Sequence, residues 1–427
     1  MEEPRAPLIV CANFFSDVAV SIRAHHALAH WARQAPREIW LMRPGDVLLT
    51  PVPLGRDFTR YACGLLGVPH RGITVLTIPF SAGVPMAEAL DREGLTDEVR
   101  ALIAHRPGAR LLPLALDSPT VDFADRLGVP VEPYGTSGVP PSAPAAVYRL
   151  NTKSGFRELA GEWGVRTPPG RSCDDGALVE TVSTMLERYG RIVVKPDRSA
   201  GGHGLRFVSG TDADWARAVP PPGSAGGGGW VVEEWLAEAR SVSVQMEALP
   251  SGPRLLFSGE MRTVAGSYAG YVSPLDHATD MATRELGHWG AMLGRHLSAH
   301  GYRGPYGIDA LLASDGTLYA TESNVRRTAT TTPHAMVHRL CSDAGFDSPA
   351  WLLAESRSRL AHTFADALRL LRAGDLAWSP DSGEGVVLYA DAPDDGRSWL
   401  YAVIAADADG TARLHSALAD VMEFERA

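Results

Sequence analysis

The chain has 427 residues, of which 45% are hydrophobic and 21% charged, and its formal net charge is −10. This is the profile of a soluble globular protein with room for about two to four domains. The acidic balance excludes a bulk nucleic-acid binder, and no apolar stretch is long enough to span a membrane.

No basic-then-apolar leader opens the chain. Cys11, Cys63, Cys173 and Cys341 form no CxxC or Cys/His pattern and read as reduced thiols of a cytoplasmic protein. Short apolar runs at 8–12, 39–42, 47–49, 73–78 and 111–116 alternate with helix-like stretches at 16–34, 57–67 and 86–105. The alternation predicts an α/β domain over residues 1–145. It has no GxGxxG fingerprint, because CANFFSD follows the first strand. The Pro/Gly/Ser-rich stretch 130–144 reads as a linker.

A second region, 146–375, opens on a helix capped by Asn151 or Thr152. Phe156, Leu159, Ala160 and Trp163 form its apolar face, and Gly164, Pro168 and Pro169 stop it. RIVVKP (191–196) and LRFVS (205–209) read as paired strands around a glycine-rich loop, within a lid at about 190–232. A short helix is expected at 211–219 and a flexible loop at 220–229. Strands follow at 230–236, 240–249 and 254–264, and 259–277 reads as a mobile pocket loop. A long helix ends near Gly301, a hairpin covers 305–324, and a helical region covers 349–373. Residues 376–427 read as a small β-rich piece with an Asp409-Gly410 turn.

The hairpin carries the clearest chemistry. With Asp315-Gly316 as a two-residue turn, Ser314 faces Thr317, Leu312 faces Tyr319, and Asp309 faces Glu322. Directly opposed Cβ atoms lie about 5 Å apart, and two like charges there destabilise a sheet. A divalent cation between them reverses the sign, and an oxygen-only ligand set suits Mg²⁺. Strand parity puts Asn324 and Arg326 on the face of Glu322. A surface hairpin is the plainer reading, but the apolar flanks IDALL and LYAT resist it.

Of 40 basic residues, only Lys153 and Lys195 are lysines. Lys153 sits in the first helical turn, where the helix dipole disfavours a cation unless an anion is close. Lys195 ends a strand and precedes a loop in which Gly201, Gly202 and Gly204 free backbone N–H groups to wrap a phosphate. A compact ammonium beside a phosphate chain accounts for two lysines kept in an arginine background.

These residues resemble the ATP-grasp superfamily, whose phosphate-binding lysines precede the glycine loop. LNTK with GVRTPPG is similar to the first lysine helix, and IVVKPDRSAGGHGL to the second lysine and lid loop. VVEEWL is similar to the adenine-binding hinge, which implies nucleotide contacts from Glu233, Glu234 and Leu236. GIDALL with YATESNVR looks like the metal hairpin. The resemblance assigns Lys153, Lys195, Gly201, Gly202 and Gly204 to the phosphates of ATP, and Asp309, Glu322 and Asn324 to two Mg²⁺ ions. It gives Arg326 the transferring phosphate or acyl intermediate.

The implied fold is an ATP-grasp fold of α+β subdomains. A Rossmann-like pre-ATP-grasp domain precedes it and the β-rich piece follows. The implied reaction joins an acid to the amine of an amino acid or peptide through an acyl phosphate. Gly307 stands where D-alanine ligases carry arginine, which disfavours that branch, and biotin carboxylases usually have Glu where Asp309 stands. The first domain and ESNVRRTATTTPH look most like peptide ligases of peptide-antibiotic biosynthesis, the pheganomycin type in particular.

On the substrate side, Arg262 is the candidate for a substrate carboxylate or acyl phosphate, with a structural ion pair as the alternative. The threonines after Arg327 either line the acceptor site or cap the helix near Pro333. Glu238 is the ribose candidate, and His203 and His334 read as bystanders. The first domain and tail are open to two uses, a homodimer interface or the acceptor pocket. The competing function is a kinase-type phosphotransferase on the same fold. A non-catalytic nucleotide-binding module is disfavoured by the intact metal set.

Overall fold

The computed structural model describes residues 5–18, 32–81, 83–210, 228–264, 266–276 and 279–425. Most of the helix expected at 16–34, the short helix at 211–219 and most of the 220–229 loop lie outside the described residues.

Strands β1 (Leu8–Cys11), β2 (Val47–Thr50), β3 (Thr74–Thr77) and β4 (Arg110–Pro113) form a parallel sheet in the order β3-β2-β1-β4. Continuous apolar runs suit β1 and β2, which are wholly buried. The run at 39–42 is not a strand. It falls largely in a 3₁₀ helix, Ala35–Leu41, started by Pro36. It is apolar because Trp40 is buried, its indole donating to Tyr389 O at 2.8 Å. The helix expected over 86–105 splits into Met86–Arg92 and Thr96–Ala104 around Gly94, whose φ is +69°.

The stretch 130–144 is ordered rather than a plain linker. Tyr134 is buried and its hydroxyl accepts from Arg303 N, and a helix begins at Ser142.

Strands β5 (Gly170–Cys173), β6 (Arg191–Pro196), β7 (Arg206–Ser209) and β8 (Trp230–Glu234) make a second, antiparallel sheet in the order β5-β8-β6-β7. The helix Leu178–Tyr189 covers it, packing Leu178, Val182, Met185 and Leu186 against Ile192, Val194, Trp230 and Val232. Each such side chain contributes about 1.5–3 kcal/mol on burial.

The large sheet has eight strands: β9 (Arg240–Leu249), β10 (Gly252–Val264), β11 (Ser267–Ser273), β12 (Gly304–Leu312), β13 (Leu318–Asn324), β14 (Ala350–Arg357), β15 (Gly385–Val387) and β16 (Ser398–Ala405). Their order is β13-β12-β9-β10-β11-β14-β16-β15. The long helix Asp280–Ala299 packs on it through Leu286, Trp289 and Leu293.

Three expectations change here. The region 349–373 holds a strand, β14, and then the helix Phe364–Ala373. The buried run AWLLA is compatible with either state by pattern alone, and pairing on both sides makes it a strand. The stretch 259–277 is mainly sheet, through paired β10 and β11. The tail extends the large sheet by β15 and β16 and ends in a helix, Ala408–Val421. Asp409 and Gly410 lie in the first turn of that helix, because Asp407 caps it by accepting from Gly410 N at 2.7 Å. Among the described residues, no helix is long and apolar enough to cross a membrane.

One half-buried histidine is expected to make the fold sensitive to acid. His334 lies 4.2 Å from Phe257 and 6.0 Å from Trp351, ring centre to ring centre. Burial, aided by His338, pushes it down to about 4 from 6.5. The folded pKa is the depressed one, so the unfolded chain binds the extra proton first. This contribution to stability is complete above pH 6.5 and is lost as the pH falls towards 4. Denaturant titrations at pH 7 and 4.5 should show His334→Leu removing on the order of 2 kcal/mol of the wild-type pH difference. An unchanged difference contradicts the assignment.

Candidate active site

The lid sheet β5–β8 and the large sheet face each other across a cavity of about 1030 Å³, larger than most drug-sized pockets. Lys153, Lys195, Gly201, Gly202, Glu233, Glu234, Leu236, Asp309, Glu322, Asn324 and Arg326 all line it.

Lys153 stands at the start of the helix Lys153–Glu162, which Thr152 caps by accepting from Gly155 N. Asp197, two residues after Lys195, ties that helix start to the lid. Its carbonyl accepts from Lys153 N at 2.9 Å, and its carboxylate accepts from Ser154 N at 2.7 Å and Ser154 Oγ at 2.9 Å. Both lysine segments are therefore fixed to each other.

The two ammonium groups are held differently. Lys195 Nζ lies 2.5 Å from Glu233, whose other oxygen accepts from Arg157 at 2.9 Å. Arg157 also donates to the carbonyls of Pro168 and Gly170. Glu233 is 3% exposed, so its side chain serves to anchor Lys195. Lys153 Nζ lies 2.9 Å from Glu322 and 3.1 Å from Ser199 Oγ. It is paired with a residue of the hairpin itself.

The hairpin brings Asp309 opposite Glu322, by a different route from the expected one. The turn is a three-residue loop, Ser314–Gly316, closed by Ala313 N donating to Thr317 O, with Gly316 at φ +84°. Leu312 consequently faces Leu318 rather than Tyr319. A bulge then shifts the register between Asp309 and Ala310, leaving Thr321 as the extra residue. The two one-residue departures cancel.

Asn324 Nδ2 donates to Asp309 Oδ2 at 2.8 Å, and Arg326 donates to Asn151 Oδ1. Burial, and then the charge of Glu322, hold the Asp309 carboxyl well above its ordinary range, against the pull of Arg326 and Asn324. Burial also pushes Glu322 upward, but Lys153, Lys195 and Arg326 together leave it below its ordinary value.

Among the described residues, no cluster of three or more His, Cys, Asp or Glu side chains could hold a metal ion. The donor set is two carboxylates and an amide. That fits Mg²⁺, which completes its shell with water and substrate phosphates.

Arg262 is not part of this site. Met261 and Thr263 line the main cavity, whereas Arg262 points from the opposite face of β10 into a separate 450 Å³ cavity beside His415. Glu238 lines the main cavity at φ +63°, a rare conformation for a non-glycine residue. Thr328 and Thr330 line it too, while Thr332 bonds Glu38 and no side chain caps the helix Thr331–Asp343. His203 lines the cavity, and His334 lies in the aromatic cluster described above. At Gly307 an added Cβ would lie 2.5 Å from the Gln245 amide, so Gln245 fills the place of a side chain there.

Sequence reading missed Asp197, Arg157 and Asn151, which act through hydrogen bonds to distant segments. Only Asp197, beside Lys195, had a local signal.

Residues 35–129 match the family described as the Pre ATP-grasp domain, and residues 366–418 match the PGM1 C-terminal domain. The chain is 25% identical to an L-propargylglycine--L-glutamate ligase of Streptantibioticus cattleyicolor, over 78% of this chain and 74% of that one. Among solved structures it resembles a Campylobacter jejuni biotin carboxylase in complex with a βγ-ATP ligand. The TM-score is 0.60 at 16% identity, covering 99% of this chain and 92% of that one. It also resembles the biotin carboxylase domain of Hydrogenobacter thermophilus 2-oxoglutarate carboxylase, solved with MgADP and bicarbonate. Here the TM-score is 0.59 at 13% identity, covering 100% and 91%. Identities this low establish a shared fold.

The lid loop offers a direct test. Gly202 has φ +79°, and a Cβ there would lie 2.0 Å from Gly266 O, in the turn between β10 and β11. Strain of this kind is worth on the order of 1–3 kcal/mol. Gly202→Ala should raise the KM for ATP by about tenfold, whereas Gly161→Ala, which meets nothing within 4 Å, should not. Steady-state nucleotide kinetics distinguish the two, and equal KM values contradict the role given to the loop.

Proposed function

We propose that this chain, which has the fold of ATP-grasp enzymes and a Pre ATP-grasp domain match, is an ATP-dependent ligase joining a carboxylic acid to the amine of an amino acid or peptide. The acid carboxylate takes the γ-phosphoryl group of ATP, the amine displaces phosphate from the acyl phosphate, and ADP and phosphate leave. The observation that carries this reading is the charge arrangement of one cavity: two buried lysines, a glycine-rich loop, an opposed carboxylate pair and Arg326. The ligase relative, named for two amino acids, supports acid and amine partners of that class. It also supports a place in the assembly of small peptide natural products.

Each residue has a derived task. Lys195, pinned by Glu233, presents a fixed ammonium to the phosphate chain. Lys153 exchanges Glu322 for a phosphate oxygen when the nucleotide enters. Gly201 and Gly202 bring backbone N–H groups to the same phosphates, whereas Gly204 does not line the cavity and lies against Pro196. Glu234 and Leu236 line the adenine end. Asp309, Glu322 and Asn324 would hold Mg²⁺, which neutralises charge on the leaving ADP. Arg326 faces the transferring group, where a preorganised guanidinium stabilises developing charge without reorganising.

The test supplies Mg²⁺-ATP, pooled amino and aryl acids, and hydroxylamine as the nucleophile. ADP with a hydroxamate is expected. AMP with pyrophosphate contradicts the phosphate assignments, and ADP indifferent to hydroxylamine favours a kinase-type transfer. In the same assay Lys195→Ala and Glu322→Ala should each reduce ADP release to background. Full turnover by either variant removes that residue from the site.

A further inference from the structure

The cavity extends well beyond the nucleotide machinery. Away from the lysines its wall is built by the first domain, through Phe14 and Arg37, and by Tyr268, Arg327 and Tyr389.

Arg37 is 3% exposed, and its guanidinium lies 5.2 Å from the Phe14 ring. One terminal nitrogen donates to Gln34 at 2.7 Å, and Nε meets Glu38 only at 3.5 Å. Glu38 is itself engaged by Thr332 Oγ1, at 3.1 and 2.9 Å. Arg327 lines the same cavity, and its backbone N donates to Leu114 O. Among the described residues its guanidinium has no ion pair, and its buried Nε has no hydrogen-bond partner. The buried hydroxyl of Tyr268 also lacks a partner.

Two guanidinium groups with incomplete partners and an orphaned hydroxyl lining one cavity are unfavourable until an anion arrives. A planar, two-oxygen anion suits guanidinium donors. We propose that Arg37, Arg327 and the Tyr268 hydroxyl form a subsite for a substrate carboxylate that is not the one being activated. The inference rests on the ligase reading and narrows its substrates to molecules bearing a spare carboxylate. That group belongs either to the acid donor or to the amine acceptor, and the chemistry recognised is the same.

The experiment compares wild type, Tyr268→Phe and Arg37→Met on a panel of L-amino acids and their α-carboxamides as acceptors, and of dicarboxylic acids and their monoamides, which keep one carboxyl to activate, as donors. One arm measures hydroxamate formation, which needs only the donor. The other measures amide formation with the panel as acceptors. Wild type should prefer the free carboxylate, and each variant should shrink that preference by about tenfold or more, the scale of a hydrogen bond to a charged group. Loss in the hydroxamate arm assigns the carboxylate to the donor, and loss only in the amide arm assigns it to the acceptor. Tyr268→Phe removes an unpaired hydroxyl and should leave the thermal midpoint unchanged, so misfolding does not blur its result.

An undiminished preference in both variants and both arms overturns the subsite. If wild type forms neither product, the ligase reading has failed. Calorimetric titration of the same panel with MgADP present then decides the subsite alone. A carboxylate preference lost in Tyr268→Phe supports it, and no preference overturns it.

Discussion

The site depends on keeping two carboxylates opposed inside a protein. Asp309 and Glu322 face each other on a buried hairpin, where burial alone penalises both charges. The two are treated differently: burial and the charge of Glu322 push the Asp309 carboxyl up, while Glu322 pairs with Lys153. In the proposed function a divalent cation would be held by Asp309 and Glu322 and would supply the positive charge that the opposed pair needs, and a phosphate would take the place of Glu322 beside Lys153. The pairings of Glu322 with Lys153 and of Asp309 with Asn324 leave no bare charge in a low-dielectric cavity.

The two lysines divide positioning from exchange. Lys195 is locked through Glu233 to Arg157 and the carbonyls of Pro168 and Gly170, all parts of the lid half. Lys153 pairs across the cavity with the large sheet. Asp197 joins the two lysine segments, and the close approach of Gly202 to Gly266 brings the lid loop onto the large sheet. The candidate phosphate ligands are therefore positioned by contacts between sheets as much as within them.

Much of this was legible in the sequence where chemistry and local geometry coincide. The lysines stood out against an arginine background, and the hairpin arithmetic found the Asp309–Glu322 pair. It succeeded although the turn has three residues, because the bulge at Thr321 restored the register. Failures came where tertiary pairing decides between equal local patterns. AWLLA became a strand between two partners, and the apolar run around Trp40 became a 3₁₀ turn against Tyr389. Arg262 failed on parity, being one residue out of step with Met261 and Thr263. Arg37 gave no signal at all, because its importance comes from a cavity assembled by segments far apart in the chain.

The central claim is that an acid oxygen attacks the γ-phosphorus of ATP. The most direct measurement follows ¹⁸O from a doubly labelled carboxylate substrate during complete turnover with amine. The account predicts one ¹⁸O in the released inorganic phosphate, with ADP as the nucleotide product. Label found in AMP, or phosphate free of label while the amide forms, would contradict it.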